Sequence, residues 1–102
     1  MKQYTDKDQT AKLIELGFPK PKFSFPIEDN EHPDYVNEDG NSYSLVESYF
    51  IGELIEFLEH KIYRIENDMQ WFVDGARVYG ADEELIDALF KACVTLKEEG
   101  VI

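Results

Sequence analysis

KIYRIENDMQWFVDGARVYG, residues Lys61–Gly80, decides the fold. It reads as three short strands joined by two tight turns. Val73-Asp74-Gly75-Ala76 predicts a type I′ hairpin, because that turn needs positive φ at both central residues, which Asp tolerates and Gly accepts freely. Asn67-Asp68 is a second, weaker two-residue turn. Around them stand Ile62, Tyr63, Ile65, Trp71, Phe72, Val73, Val78 and Tyr79, which are β-branched, aromatic or apolar. A ribbon this short does not hold itself up in water and needs cover on one face.

The two turns assign the faces. Pairing Val73 with Ala76 sets Trp71 opposite Val78, and pairing Glu66 with Met69 sets Arg64 opposite Trp71 and Ile62 opposite Val73. One face then carries Ile62, Met69, Trp71, Val73, Ala76 and Val78, with Arg64 as its polar member, and belongs under helices. The other carries Tyr63, Ile65, Gln70, Phe72, Arg77 and Tyr79 and has no obvious cover. The first strand's share hangs on the weaker turn, since a one-residue slip exchanges its faces.

Three helices supply the cover. Residues 5–16 start with Thr5 or Asp6 as cap and Asp8 or Gln9 three residues on. They end at Gly17, with Phe18 folding back on Leu13 and Pro19 forbidding continuation. In residues 51–59, Ile51, Leu54, Ile55 and Leu58 share one face while Glu53, Glu56 and Glu59 point away. Residues 82–99 carry the stripe Leu85, Ile86, Leu89, Cys93, Leu96, begin with Asp82, Glu83 and Glu84 against the helix dipole, and stop at Gly100-Val101. Between the first two helices, PKPKFSFP (Pro19–Pro26) is held extended by its three prolines and reads as a connector whose Phe23 and Phe25, with Ile27, plug the core. Glu28–Ser42 reads as an exposed acidic loop. Tyr43–Tyr49 alternates like a strand, a fourth for the sheet or a lead-in to the next helix. The expectation is one α+β domain over residues 1–102, an antiparallel sheet of three or four strands with helices mainly on one face.

Composition narrows the function classes. The chain has 22 acids against 10 bases, a net charge of −12. Phosphate and anionic-membrane contacts need clustered Lys and Arg, so direct nucleic-acid and membrane binding are set aside, while a basic protein partner or a cation fits. One cysteine allows no internal disulfide, and neither a signal-peptide pattern nor a membrane-length apolar run is present, so a cytoplasmic protein is expected.

Catalytic motifs are missing: there is no G-x-S-x-G elbow, no phosphate-binding glycine loop, no H-E-x-x-H and no C-x-x-C. Cys93 sits on an apolar stripe, where a thiol is inert. Gly40 in NEDGNSYSLVE invites a calcium-loop comparison, but the first and last ligand positions fall on Tyr35 and Val46. Asp29, Glu31, Asp34, Glu38 and Asp39 leave room for weak cation binding, and Glu56 with His60, near Glu53, has helical ligand spacing without a matching pair on another helix. No catalytic residue, cofactor or metal site is assigned. The leading expectation is a protein-interaction module, able to form a homodimer, that uses Tyr63, Phe72, Arg77 and Tyr79. The alternative is an acidic decoy that mimics nucleic acid toward a basic protein through Glu53, Glu56, Glu59, Asp82, Glu83, Glu84 and Asp87. An enzyme or cation binder comes third.

TDKDQTAKLIELGF with its PKPK continuation, YFIGELIEFL, and ELIDALF with LKEEGVI together resemble a set of small proteins, without assigned activity, of Bacteroides-type gut bacteria and their phages. The likeness covers both ends and the second helix. Those relatives often have Ser where Phe50 stands here, a residue that would cap the helix. The resemblance implies a cytoplasmic protein of a prophage or conjugative element and transfers no functional residue.

Overall fold

A computed structural model describes residues 2–59 and 61–102. In chain order they form α1 (Lys7–Glu15), β1 (Phe23–Glu28), β2 (Tyr35–Val36), β3 (Ser42–Ser48), α2 (Ile51–Leu58), β4 (Arg64–Asp68), β5 (Gln70–Asp74), β6 (Val78–Asp82) and α3 (Leu85–Glu98). The α+β class holds. The strands, however, make two antiparallel three-stranded sheets, ordered β1-β3-β2 and β4-β5-β6, where the sequence suggested one.

The helix ends follow from a few adjacent residues. Asp6 caps α1, accepting from the Gln9 amide at 2.8 Å, while the Gln9 side chain accepts from the Asp6 amide at 3.1 Å. Gly17 and Gly100 take φ of +98° and +73°. Phe18 N–H reaches the Leu13 carbonyl at 3.1 Å and Val101 N–H the Leu96 carbonyl at 2.9 Å, so both helices stop in the same motif. At the start of α3 the structure corrects the sequence reading: Asp82 ends β6, Glu83 lies between, Glu84 is the cap, and Asp87 is the acid of the first turn.

Around α3 lies the core. Its Ile86, Ala88, Leu89, Ala92, Cys93 and Leu96 are buried with Leu13, Phe18, Tyr49, Leu54, Leu58 and Val73. Helix α3 packs on β5 and β6 and also on α2, and side chains of α2 share one core with Val73 of β5. Gly80 permits the closest approach: a Cβ there would run into the Ala88 carbonyl oxygen and lie 2.8 Å from the Ala92 nitrogen.

Both predicted turns of the β4-β5-β6 sheet are replaced. The β4–β5 reversal centres on Met69, at φ +66°, and pairs Ile65 with Val73 and Asn67 with Trp71. That shift of three residues exchanges the faces of β4. Between β5 and β6 a bulge at Val73/Asp74 sets Val73 opposite Gly80 and Trp71 opposite Asp82, and Gly75 keeps φ out of the positive range. Gly75 is still needed, because a Cβ would strike the Lys61 carbonyl oxygen and the Tyr79 ring. The helix side therefore carries Ile65, Asn67, Trp71, Val73 and Gly80. The outer side carries Arg64, Glu66, Asp68, Gln70, Phe72, Asp74 and Ala81.

The other sheet stands apart. Pro19–Pro26 is no plug for the core, since its second half is strand β1, paired residue for residue with β3 from Phe23↔Ser48 to Glu28↔Tyr43. The Asp29 amide bonds to the Ser42 carbonyl at 2.9 Å, which by alternation leaves Pro26 at a non-bonded position with its missing N–H on the outer edge. The acidic loop is ordered around carboxylates and amides that mimic backbone. Asp29 accepts from the Glu31 and His32 amides and from Ser44 Oγ, Asp34 from the Leu45 amide, and Asn37 from the Asp39 and Asn41 amides. The molecule is elongated, 49 × 31 × 17 Å with a Cα radius of gyration of 15.2 Å. None of its buried apolar residues comes from β1, β2 or β3. Among the described residues no helix is long and apolar enough to cross a membrane.

Candidate functional site

Of the four residues expected to form a partner surface, two meet. The Arg77 guanidinium lies 5.3 Å from the Tyr79 ring centre and bonds to Glu99, tying the β5–β6 loop to the end of α3. Tyr79 itself packs against the core. Tyr63, 81% exposed, precedes β4 and donates its amide to Asp74. Phe72 is half-buried on the outer side between Glu66 and Ala81, beside Arg64, which reaches Glu66 at 3.4 Å and Asp74 at 3.1 Å. That side has no helix or strand on it among the described residues. It is open, but it is a charged surface holding one ring, and the exchanged face of β4 is the reason.

The acids of the decoy surface divide as well. Glu53 is 3% exposed and points inward, accepting from the amides of Phe50 and Lys22 at 3.3 Å each. Asp82 takes Lys91 Nζ at 2.8 Å and the Glu84 amide at 3.2 Å, and these bonds hold its carboxyl below the usual range. Asp87 takes Lys2 Nζ at 2.8 Å and Gln9 Nε2 at 2.6 Å, and Glu84 takes the Lys2 amide at 3.2 Å. Partial burial alone would lower the Lys2 ammonium pKa, but Asp87 and Asp6 raise it. Glu56, Glu59 and Glu83 are exposed. The seven carboxylates do not form one free face. His60 lies outside the described residues, and so does its pairing with Glu56.

Groups with chemical potential elsewhere are structural. Burial pushes the Cys93 thiol up to about 12, with Sγ 3.9 Å from the Leu54 carbonyl. Burial first, and the Glu53 charge second, push Tyr49 up to about 12, and its hydroxyl donates to the Pro19 carbonyl at 2.6 Å. Among the described residues no three His, Cys, Asp or Glu side chains gather as a metal site. The cleft between β6 and α3 measures about 520 Å³ and is lined by Lys12 and Lys91, but Lys91 is held by Asp82 and Lys12 lies 4.0 Å from Glu98. A smaller cavity of about 290 Å³ is walled by Tyr4, Phe23, Phe25 and Phe50, where Tyr4 stacks on Phe25 at 4.3 Å and Phe23 meets Phe50 edge-on at 5.2 Å.

What the sequence reading missed is the β1-β3-β2 sheet. Tyr4 covers the side bearing Phe25, Ile27 and Val46. The opposite side carries Ser24, Pro26 and Glu28 from β1, Tyr43, Leu45 and Glu47 from β3, and Tyr35 from β2. Leu45 is 54% and Tyr35 40% exposed, and the Tyr35 and Tyr43 rings stack at 5.6 Å. The alternation Tyr43, Leu45, Glu47, visible in the sequence, was the available signal. Charge sets this sheet apart too. Residues 23–48 hold seven acids and no Lys or Arg. Among the described residues none of those acids is in an ion pair, whereas all seven ion pairs of the structure lie outside this stretch.

Comparison with protein-family models, curated proteins and solved structures returns no match.

Proposed function

We propose that this chain is a non-enzymatic protein-interaction module, and that its contact surface is the open side of the β1-β3-β2 sheet. The supporting observation is the concentration there of Tyr35, Tyr43, Leu45 and Pro26 between Glu28 and Glu47, neither of which is in an ion pair among the described residues, on a sheet with no residue in the buried apolar core. Apolar and aromatic side chains left open on an ordered sheet have a physical use when a partner covers them. The outer side of β4-β5-β6 serves as the internal comparison, since there Arg64 already pairs with Glu66 and Asp74 beside Phe72.

The test is affinity capture with three baits: the unaltered chain, Leu45→Asp and Phe72→Asp, each with its helical circular dichroism checked. A protein retained by the unaltered chain and by Phe72→Asp, but lost with Leu45→Asp, supports this surface. If every captured protein survives Leu45→Asp, the surface is wrong.

A further inference from the structure

Resting on that reading, we infer that the partner segment is an extended, arginine-bearing basic strand of another protein, lying across Tyr35, Tyr43, Leu45 and Glu47. Cross-strand pairing arranges the open side in three rows. The first holds Tyr35, Tyr43 and Glu28, the second Leu45 and Pro26, and the third Glu47 and Ser24. Successive rows are two residues apart along β3, roughly 6.6 Å, so the first and last are about 13 Å apart. An extended segment presents its i, i+2 and i+4 side chains at the same spacing. The surface therefore asks for a cation, an apolar group and a second cation in that order.

Arginine suits the first row better than lysine does. A planar guanidinium lies on a tyrosine face and bonds a carboxylate edge-on, and Glu28 stands beside Tyr43 to receive it. The second row is apolar and exposed, and Val or Leu fits it. Glu47, in the third, has no cation partner among the described residues and takes the second base. The same charges argue against a second copy of this chain as occupant, because Glu28 and Glu47 of each copy, with the five acids of its adjoining loops, would be brought together. An anionic lipid surface is repelled for the same reason.

The experiment uses a fluorescein-labelled peptide, Gly-Ser-Arg-Thr-Val-Thr-Arg-Ser-Gly, and a scrambled peptide of the same composition with adjacent arginines, read by anisotropy against the full chain in low salt. The ordered peptide should bind more tightly than the scrambled one. Glu28→Gln with Glu47→Gln should weaken it about tenfold or more, and Tyr35→Ser measurably, because each removes a partner of the guanidinium. Glu83→Gln with Glu98→Gln, the same change in net charge on the far body, should leave it unchanged. Equal loss from the two double variants, equal binding of the two peptides, or no binding by the unaltered chain would each overturn the inference. The two readings fail separately. A captured partner that depends on Leu45, with no preference for the ordered peptide, removes the basic strand and keeps the surface. Absence of any Leu45-dependent partner removes the surface itself.

Discussion

Glu53 occupies a place that helical spacing assigns to solvent, yet it is buried, because two backbone amides converge on it from Phe50 and Lys22. Phe50 has no side-chain cap to offer α2, so the third residue of the helix supplies the acceptor from the other direction and also fixes the chain entering β1. Spacing alone does not reveal this, since the Lys22 amide comes from a distant part of the chain. Glu53→Ala should lower the unfolding free energy by about 1–3 kcal/mol by leaving those amides unpaired, and Glu53→Gln, which keeps an acceptor, by less, both read from urea titrations. Asp29 gives the pH-sensitive counterpart. Its carboxyl is held below its ordinary value by the His32 amide first, then by Ser44 Oγ and the Glu31 amide. A depressed folded-state pKa means the carboxylate form supports the fold: the contribution is present above the unfolded value and fades as pH falls through the lower folded one. In an acid titration the His32 and Ser44 backbone resonances should therefore move together with an apparent pKa below 3.8. A midpoint at or above that value would mean that the three bonds are not made in solution.

At the scale of elements, the sequence reads well wherever a structure is set by adjacent residues and poorly where it is set by a register. The caps of α1 and the stops at Gly17 and Gly100 depend on five or six consecutive side chains, and they are found where the chain implies them. The hairpins depend on which of several permitted turns wins. Met69 takes the positive φ that Asn67-Asp68 was expected to need, and the Val73/Asp74 bulge displaces the type I′ turn, so the aromatic side predicted for the sheet dissolves into charge. Pro26 misleads for a related reason, because a proline on an outer edge costs a strand nothing. The contact that matters most for packing, α3 on β6, turns on Gly80. Its missing Cβ is space taken by the backbone of α3, which cannot rotate aside as a side chain would. Gly80→Ala should cost about 1–3 kcal/mol by prying β6 from the helix. The matching observation is a lower thermal midpoint accompanied by a change in the emission of Trp71, which packs against that core. An unchanged midpoint would show that α3 and β6 sit farther apart than described.

For the whole molecule the consequence is two regions of unequal strength. Among the described residues the buried core is made by the helices, by Tyr49 beside them, by Phe18 and by Val73. Burial therefore stabilises the body and leaves the β1-β3-β2 sheet to backbone bonds, side-chain mimicry in its loop, contact of β3 with α1 and one stacked face under Tyr4. The sequence showed enough apolar residues for one core. It did not show that Phe23, Tyr35, Val36 and Leu45 would be left out of it, because a strand's alternation is the same whether its apolar side meets a core or a partner. A sheet without a core of its own opens at lower free energy than the body that carries it. Amides of β1 and β3 should accordingly exchange with solvent by sub-global opening, ahead of those in α3, which should exchange only on global unfolding. Binding of a strand to the open side should slow exchange in β1 and β3, and slow α3 by the same free-energy increment, because the sub-global opening and global unfolding both destroy the site. Amides that exchange by local fluctuation elsewhere in the body should not change. Equal protection in the two regions would mean that the sheet and the body unfold as one unit, and that the projection is braced by contacts stronger than those formed by Tyr4 and α1.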